Sequence, residues 1–365
     1  MITLPIEQSS IYTLKVALDR LPNVQFIAIY NLLMLFAPTK AQNSSNMKKL
    51  ALIIALFWGI RQNSHQRKIT DKLLIEIMDD LPLRLGLTMW SHNNWQQTFY
   101  GSGTKPAERL AKYAQVFHTV EGNTTFYATP NQSTVNNWKA ATDDNFRFTF
   151  KLPKAITHQQ MLRASQAQLK EFMQIMEPLH ERIGQWTIQL PAAFGPEHLE
   201  QLKQFCALFP PSFPIGVEVR HPAFFAKGDA EKQLNHWLVE KGYDRIIMDS
   251  RPVFAAAPDN EAIIDAQQKK PRVPVHAIAT AKTPMIRFIG HPTESENYEW
   301  FTPWLTKLPQ WINEGKQPYV MIHTADNIVA PELAANLYKQ LQEKIKLPNL
   351  NSFPANNGNA QIQMF

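Results

Sequence analysis

Cysteine and long apolar runs are both scarce in this sequence. Cys206 is the single cysteine among 365 residues, so an internal disulfide is excluded, and we predict a cytoplasmic protein because free thiols persist in reducing compartments. Cys206 lies in a predicted helix, His198–Leu208, where we expect a packing role. The apolar runs Val24–Ala37 and Leu50–Ile60 are both shorter than the roughly 18–20 residues that a membrane-spanning helix needs.

Local motifs for common cofactors are also missing, and no cofactor is predicted. No glycine-rich loop follows any predicted strand, which counts against a nicotinamide-binding domain. No HExxH or CxxC pair suggests a metal. Ligands drawn from separate strands leave no local motif, so a divalent metal stays open as an alternative. Such a site would recruit Glu121, Glu218, His221, Asp249 and His323.

Basic charge is concentrated at the amino terminus. Residues 1–77 hold nine Lys and Arg against four Asp and Glu, so only +1 of the formal net charge of +6 belongs to the remaining residues. The main body therefore offers no broad basic surface for nucleic acid. A regular pattern begins only near Leu83. We expect Met78 to be the native start and residues 1–77 to be an extension, with a membrane-surface anchor as the alternative if they are translated.

Predicted strands alternate with predicted helices from Leu83 onward. This alternation indicates a parallel sheet, and eight strands in residues 78–347 fit a TIM-like (β/α)₈ barrel, with a doubly wound open sheet as the alternative. The predicted strands are 84–90, 116–122, 146–152, 183–190, 214–220, 244–249, 284–290 and 318–323. Besides His198–Leu208, the predicted helices are Pro106–Gln115, Ala164–Leu179, Ala230–Lys241, Tyr298–Asn313 and Pro331–Lys344.

The segment Gly216–Pro222 is the most informative part of the chain. In a strand, Glu218 and Arg220 share one face while Val217 and Val219 share the other. Charges on a buried face must be paired or functional, since an isolated buried charge is costly. Such barrels carry their chemistry at the C-terminal ends of strands, and polar or aromatic residues occur at all eight predicted ends.

These strand ends supply the candidate site residues. The predicted catalytic residues are Glu121, Glu218, Lys151 and Asp249. The predicted substrate-binding residues are Trp90, His92, Asn123, Tyr127, His158, Gln189, Arg220, His221, Arg287 and His323. Two carboxylates can divide acid and base roles if their environments differ. Arginine and lysine suit a phosphate or carboxylate, and aromatic rings stack on a sugar or base.

The predicted ligand is therefore a small polar anion, such as a sugar phosphate or a nucleotide. The long connection Arg251–Thr283 is rich in proline and made basic by Lys269, Lys270 and Arg272, so it could serve as a lid over an anion, with a mere surface excursion as the alternative. The alternative to a ligand site is a structural role, in which the ion pairs Glu218–Arg220 and Glu121–Lys151 stabilise the barrel. A cap or turn role is the alternative for His158.

Ordered motifs from Leu83 to the last residue resemble one known family. They are Gly86-Leu87 with Trp90-Ser91-His92, Val120–Thr125, Phe146-Arg147-Phe148 with Lys151, Gln189–Ala192 with Phe194-Gly195-Pro196, Gly216–Pro222, Asp249–Val253, Pro271 with Val273–Ala277, Ile286–Gly290 and His323-Thr324. The chain resembles the family called domain of unknown function 72. The resemblance implies a TIM-like barrel without a settled biochemical function. Distant members carry Asn in place of His323 and Thr324, and a His near Ile289, so a mechanism using those positions would not transfer.

The C-terminal residues 348–365 are rich in Asn and Pro and are predicted to be a flexible tail. They end in Gln361-Ile362-Gln363-Met364-Phe365, which resembles the peptides with which bacterial DNA enzymes bind the sliding clamp. Three function classes follow. An enzyme acting on a small anion is favoured by the low charge of the main body, a clamp-docked, nucleic-acid-associated protein is favoured by the tail, and a non-catalytic ligand-binding barrel is the third.

Overall fold

The computed structural model describes residues 81–357, in which nine parallel strands form one sheet. The strands are β1 Arg84–Leu87, β2 Thr119–Gly122, β3 Arg147–Lys151, β4 Ile183–Gln189, β5 Ile215–Glu218, β6 Asp244–Arg245, β7 Ile247–Asp249, β8 Met285–Ile289 and β9 Tyr319–His323. Hydrogen bonds join them in the order β6-β5-β4-β3-β2-β1-β9-β8-β7. The predicted extension, Met78 and the peptide Gln361–Phe365 lie outside the described residues.

β6 and β7 are two halves of one strand, and they close the sheet into a barrel. β6 pairs with β5, β7 pairs with β8, and between them Ile246 donates its N–H to the Val217 carbonyl at 3.0 Å. The TIM-like barrel is thus confirmed. The sixth predicted strand is interrupted because the Arg245 N–H bonds to Thr280 Oγ1 at 2.7 Å rather than to a neighbouring strand.

Helices occupy the connections between the strands, and all six predicted helices are present with somewhat different ends. The α-helices are α1 Arg109–Ala114, α2 Thr124–Tyr127, α3 Gln132–Ala140, α4 Gln166–Met176, α5 Leu199–Cys206, α6 Asp229–Lys241, α7 Arg251–Ala255, α8 Glu261–Lys269, α9 Glu296–Asn313, α10 Ala330–Gln342 and α11 Pro354–Asn357. Short 3₁₀ segments are Pro106–Glu108, Glu177–Arg182, Pro196–His198 and Pro222–Phe225, and π turns are Gln96–Tyr100 and Ala155–Gln159.

β3 shows how side-chain alternation divides the sheet into two faces. Phe148 and Phe150 are fully buried in the main core between the sheet and the helices. Thr149 and Lys151, on the opposite face, point into the barrel because strand side chains alternate. The predicted arrangement, with an aromatic face on the helices and a polar face inside, is confirmed for this strand.

The middle of the barrel is apolar. Ile246, Met285, Tyr319 and Met321 form a buried cluster separate from the main core. Met285 lies two residues before Arg287 in β8, so the two side chains share the inner face of the strand. The apolar cluster therefore lies inside the barrel on the N-terminal side of Arg287.

Asp244 is a carboxylic acid buried near the N-terminal end of the barrel. Its Oδ2 accepts hydrogen bonds from Gln185 Nε2 at 3.0 Å and from the Met285 N–H at 2.9 Å, whereas Oδ1 has no hydrogen-bond partner within residues 81–357. Burial raises the pKa of Asp244 to about 7, although the two hydrogen bonds oppose the shift. A carboxyl group is therefore held largely protonated in mildly acidic solution.

Residues 348–357, the part of the predicted flexible tail that the structure describes, lie against the barrel. The Pro348 carbonyl accepts a hydrogen bond from the Tyr338 hydroxyl at 3.0 Å. Phe353 packs edge-on against Phe99 with ring centroids 4.9 Å apart. Hydrogen bonds and the Phe353 ring thus hold a segment whose Asn- and Pro-rich composition predicts disorder.

Cys206 is buried at the end of α5, next to Leu202 and Phe205 in the main core. Burial raises the pKa of its thiol, which opposes formation of the reactive thiolate. This placement agrees with the packing role expected for it. No helix within the described residues is long and apolar enough to cross a membrane.

Candidate functional site

Five charged side chains meet at the open, C-terminal end of the barrel. They are Glu121 of β2, Lys151 of β3, Glu218 and Arg220 at the end of β5, and Arg287 of β8, and we call them the mouth cluster. All five were predicted from their positions at strand ends. Because parallel strands all end at the same rim, residues far apart in sequence converge there.

Arg287 is the centre of the mouth cluster. Its Nε and Nη2 donate to the two carboxylate oxygens of Glu121 at 2.6 and 2.9 Å, and its Nη1 donates to Glu218 at 2.8 Å. The guanidinium thereby bridges β2 and β5 from the opposite wall of the barrel. Glu121, Glu218 and Arg287 are each at most 1% exposed, so the bridge is shielded from water.

Each of the two carboxylates also pairs with a second cation. Lys151 Nζ lies 3.2 Å from Glu121, and Arg220 binds Glu218 through Nε at 2.8 Å and Nη2 at 2.7 Å. These are the two pairs that the structural alternative required. Both pairs are present, so the structural alternative stays open beside a ligand site.

The two carboxylates have similar environments. Burial by itself would raise the pKa of Glu121, but Arg287 and Lys151 lower it to about 2. Burial opposes the same shift in Glu218, and Arg220 and Arg287 lower its pKa to about 2. Both side chains are thus carboxylates at neutral pH, and the expected division into one acid and one base has no support in their electrostatics.

Lys270 adds a sixth charge above the mouth cluster. Its ammonium makes no ion pair or hydrogen bond to any described residue, although the side chain is half-buried. Burial, Arg287 and Lys151 lower the pKa of Lys270 to about 7, while Glu121 and Glu218 oppose the shift. Four cationic groups therefore surround two carboxylates, and the opening carries an excess of positive charge.

Unpaired polar atoms line the same opening. His323 Nδ1 and Gln189 Oε1 are buried and have no hydrogen-bond partner within residues 81–357. Burial and then Lys270 lower the pKa of His323 well below its usual value, so its ring is neutral. Gln189 lies beside Glu218 in the register of β4 and β5. These atoms can hydrogen-bond a polar ligand.

His158 stands at the edge of this charged region. Burial, Arg220 and Lys154 lower its pKa to about 4, so the ring is neutral, and its Nδ1 lies 2.9 Å from Thr157 Oγ1. Its ring also packs edge-on against Phe126, with centroids 5.1 Å apart. The structure therefore brings His158 to the site, on a π turn rather than as a helix cap.

Asp249 does not join the mouth cluster. Arg251 binds it through Nε at 2.8 Å and Nη2 at 2.7 Å, and the Trp304 indole donates to it at 2.9 Å. Trp304 belongs to α9 and to the main core, so Asp249 faces the helices rather than the barrel interior. The expectation that all strand-end carboxylates converge is wrong for this residue, because the face of the strand decides the direction.

His221 does not join the mouth cluster either, and the residues named for a divalent metal do not form one site. His221 Nδ1 accepts the Ala223 N–H at 3.2 Å and so caps the 3₁₀ turn that Pro222 begins. With His221 used as a cap and Asp249 on the outer face, the residues named for a divalent metal do not converge. Within residues 81–357, no three His, Cys, Asp or Glu side chains are grouped as metal ligands.

The remaining predicted residues lie around the rim. Asn123 Nδ2 donates to the Thr88 carbonyl at 2.8 Å and so joins the ends of β1 and β2. Trp90 packs against Trp138, and His92 packs against Trp95. Neither Trp90 nor His92 hydrogen-bonds the mouth cluster within the part of the chain that the structure describes.

Tyr127 is the most exposed large side chain at the rim. It is 80% exposed and packs edge-on against Phe126, with centroids 5.3 Å apart. The Phe126 ring in turn lies 6.0 Å from Lys151 Nζ. Tyr127 is thus one ring away from the charged opening and presents its own ring to solvent.

The model of the family described as protein of unknown function DUF72 matches residues 84–357. The chain belongs to the DUF72 family. It is 48% identical over 271 residues to the UPF0759 protein YecE of Escherichia coli strain K12, covering 74% of this chain and 96% of that protein. The corresponding protein of Escherichia coli O157:H7 is 47% identical over the same shares.

Solved structures of DUF72 proteins share the fold. One from Enterococcus faecalis V583 has a TM-score of 0.55 at 23% identity and covers 74% of this chain and 100% of its own. Another, from Thermotoga maritima MSB8, has a TM-score of 0.55 at 22% identity and covers 71% and 99%. At these identities the likeness concerns the barrel alone.

Lys270 is the site residue of this DUF72 protein that sequence reasoning did not select. It follows α8 in the long connection between β7 and β8, outside any strand end, and drew notice only as part of a basic, proline-rich segment. The available signal was that two adjacent lysines precede Pro271 in a connection expected to cover the mouth. The choice between Lys269 and Lys270 needed the structure, because Lys269 pairs with Asp265 on the surface.

Proposed function

We propose that this protein binds a small organic anion, of the sugar phosphate or nucleotide type, at the open end of its barrel. The observation that supports this is the charge balance: Lys151, Arg220, Arg287 and Lys270 surround only Glu121 and Glu218. A half-buried ammonium without a carboxylate partner is costly, and a bound anion would relieve that cost.

The cations divide into inner and outer ones. Arg287 uses Nε, Nη1 and Nη2 on the two carboxylates, so in this proposal it positions Glu121 and Glu218 and does not touch the ligand. Arg220 is more exposed, at 17% of its side chain, and Lys270 is half-buried and unpaired. In this proposal Lys270 contacts the anion directly. Arg220 can add only those N–H groups that are not used on Glu218 and on the Lys269 carbonyl.

Neutral groups would recognise the rest of the ligand. Gln189 Oε1 can accept a hydrogen bond from a ligand hydroxyl group, and Nδ1 of the neutral His323 ring can take part in another. The exposed ring of Tyr127 at the rim suits stacking on a sugar or base. A phosphate near Lys270 with hydroxyl groups directed toward β4 and β9 would use all of these groups. Binding without turnover would make the protein a non-catalytic ligand-binding barrel.

Lys270→Gln is expected to weaken binding of inorganic phosphate and of ribose 5-phosphate by about 10- to 100-fold. A charge-assisted hydrogen bond is worth about 1.5–3 kcal/mol, which corresponds to this range. The measurement is titration calorimetry on the full chain at pH 6.5, where Lys270 carries more charge than at pH 8. Lys232→Gln is the matched control, because Lys232 is a solvent-exposed lysine of α6. Equal affinity in all three proteins, or no anion binding by the unaltered chain, would contradict the proposal.

A second candidate, docking on a bacterial sliding clamp, rests on the sequence Gln361–Phe365 alone. In this proposal Met364 and Phe365 enter an apolar pocket of the clamp. Replacing both by alanine in the full chain is expected to abolish binding to an immobilised clamp, while Asn359→Ala, just outside the peptide, leaves it unchanged. Surface plasmon resonance measures this, and equal responses from the two variants, or no response from the unaltered chain, would reject the candidate.

A further inference from the structure

We infer that Lys270 is a nucleophile that forms an imine with an aldehyde or ketone group of the bound anion. This inference rests on the proposed function and narrows its substrate class to carbonyl compounds that carry a phosphate or carboxylate. Lysine amines form such imines when they are unprotonated and aimed at the carbonyl carbon. Position, lack of pairing and environment all distinguish Lys270 from the other lysines at the site.

The backbone on both sides of Lys270 is tied to the barrel. Arg220 Nη1 donates to the Lys269 carbonyl at 3.4 Å, and Ser250 Oγ donates to the Pro271 carbonyl at 2.9 Å. Arg220 follows β5 and Ser250 follows β7, so the two hydrogen bonds hold Lys270 between two strand ends at the barrel mouth. A nucleophile needs such fixed placement to stay within reach of a bound carbonyl.

Lys151 and Lys270 differ in their partners. Burial and Arg287 lower the pKa of Lys151, but its Nζ lies 3.2 Å from Glu121, which opposes the shift and pairs with the ammonium. Lys270 makes no ion pair or hydrogen bond to a carboxylate among the described residues. Lys154 is exposed to solvent. Of these three lysines, Lys270 is therefore the one whose free amine is available.

The groups facing Lys270 come from four strands and favour the neutral amine. Arg287 of β8 and Lys151 of β3 repel its positive charge, while Glu121 of β2 and Glu218 of β5 attract it; burial is the largest influence. The balance places the pKa of Lys270 at about 7. About half of the amine is thus free at neutral pH, compared with less than about 0.1% for an ordinary lysine.

His323 can move the proton in this reaction. The ring is neutral, because burial and then Lys270 lower the pKa of His323, and its Nδ1 has no hydrogen-bond partner within residues 81–357. The amine lone pair attacks the carbonyl carbon and forms the C–N bond, and the carbonyl oxygen takes a proton while the nitrogen loses one. The hydroxyl group so formed then takes a second proton and the C–O bond breaks to release water, while loss of the second N–H proton leaves the imine, so no oxidant or further reactant is needed.

The test is reductive trapping on the full chain. The protein is incubated with glycolaldehyde phosphate and sodium cyanoborohydride, and modified lysines are located by peptide mass spectrometry. Lys270 is expected to be labelled at least about tenfold faster than the exposed Lys232 at pH 7, and its labelling rate should reach half its maximum near pH 7. Excess inorganic phosphate should slow labelling at Lys270 and leave Lys232 unaffected.

Two substitutions sharpen the comparison. Lys270→Arg, checked for folding by its thermal melt, should lose the fast label, whereas Lys232→Arg should keep it. Slow, uniform labelling in a protein that binds phosphate would overturn the imine and leave the proposed function standing. Fast labelling of Lys270 that phosphate does not slow would support the reactive lysine and overturn the anion site.

Discussion

Replacing Arg287 by methionine is expected to lower the free energy of unfolding by about 3–5 kcal/mol. The substitution leaves Glu121 and Glu218 buried without the guanidinium that bridges them, and removing one partner of a buried ion pair typically costs this much. Urea denaturation of the full chain at pH 7, followed by circular dichroism, measures the change. Lys203→Met is the matched control, because Lys203 pairs with Glu200 on the surface and such pairs contribute less than about 1 kcal/mol.

The pH dependence separates this effect from a loss of packing. In the unaltered protein the carboxylates titrate at about 2, below their ordinary pKa of 4.5, so their contribution to stability is present above pH 4.5 and is lost as the pH falls toward 2. Without Arg287 much of this contribution is already absent. The difference between the two proteins should therefore shrink below pH 4.5. A loss under about 1 kcal/mol at pH 7 would mean that the mouth cluster does not lock the barrel.

Asp244→Asn is expected to stabilise the protein at alkaline pH. The pKa of Asp244 is about 7 in the folded chain, above its ordinary value of 3.8, so the folded protein keeps a proton that the unfolded chain releases between these values. Stability contributed by this proton is complete below about pH 4 and is lost as the pH rises through 7. Three pKa units correspond to about 4 kcal/mol, which is the upper limit of the gain.

Urea denaturation at pH 5 and pH 8.5 measures this gain. The asparagine variant should exceed the unaltered protein in stability at pH 8.5, and its advantage should be much smaller at pH 5. Asp229→Asn is the control, because Asp229 lies on the surface of α6 and its replacement removes the same formal charge. Equal pH profiles for all three proteins would show that Asp244 is ionised without penalty in the barrel.

The barrel could be predicted from the sequence, because each strand shows its own local pattern of apolar and polar residues. The alternation of Phe146, Phe148 and Phe150 with polar residues identifies β3 and both of its faces. The interruption at Ile246 could not be predicted. It depends on Thr280, which lies far along the chain and bonds the Arg245 amide. The packing of residues 348–357 depends in the same way on the contact of Phe353 with Phe99.

The residues of the candidate site could be predicted from the sequence, but the hydrogen bonds and ion pairs between them could be predicted only in part. Glu218 and Arg220 are two residues apart, so their pairing follows from strand geometry. The pairing of Arg287 with Glu121 joins residues 166 positions apart and depends on how the barrel closes. Asp249 shows where prediction from strand ends fails. It is a carboxylate at a strand end, like Glu121 and Glu218, but its side chain lies on the opposite face of the strand.

The hydroxyl group of Thr280 also affects how readily the barrel can associate with other molecules. It accepts the Arg245 N–H at 2.7 Å and donates to the Tyr243 carbonyl at 2.8 Å, so it satisfies two backbone groups at the side of β6 away from β5. Unsatisfied groups of this kind form an edge to which a strand of another molecule can add. The connection between β7 and β8 thus blocks intermolecular strand addition near its C-terminal end and carries Lys270 to the barrel opening from its middle.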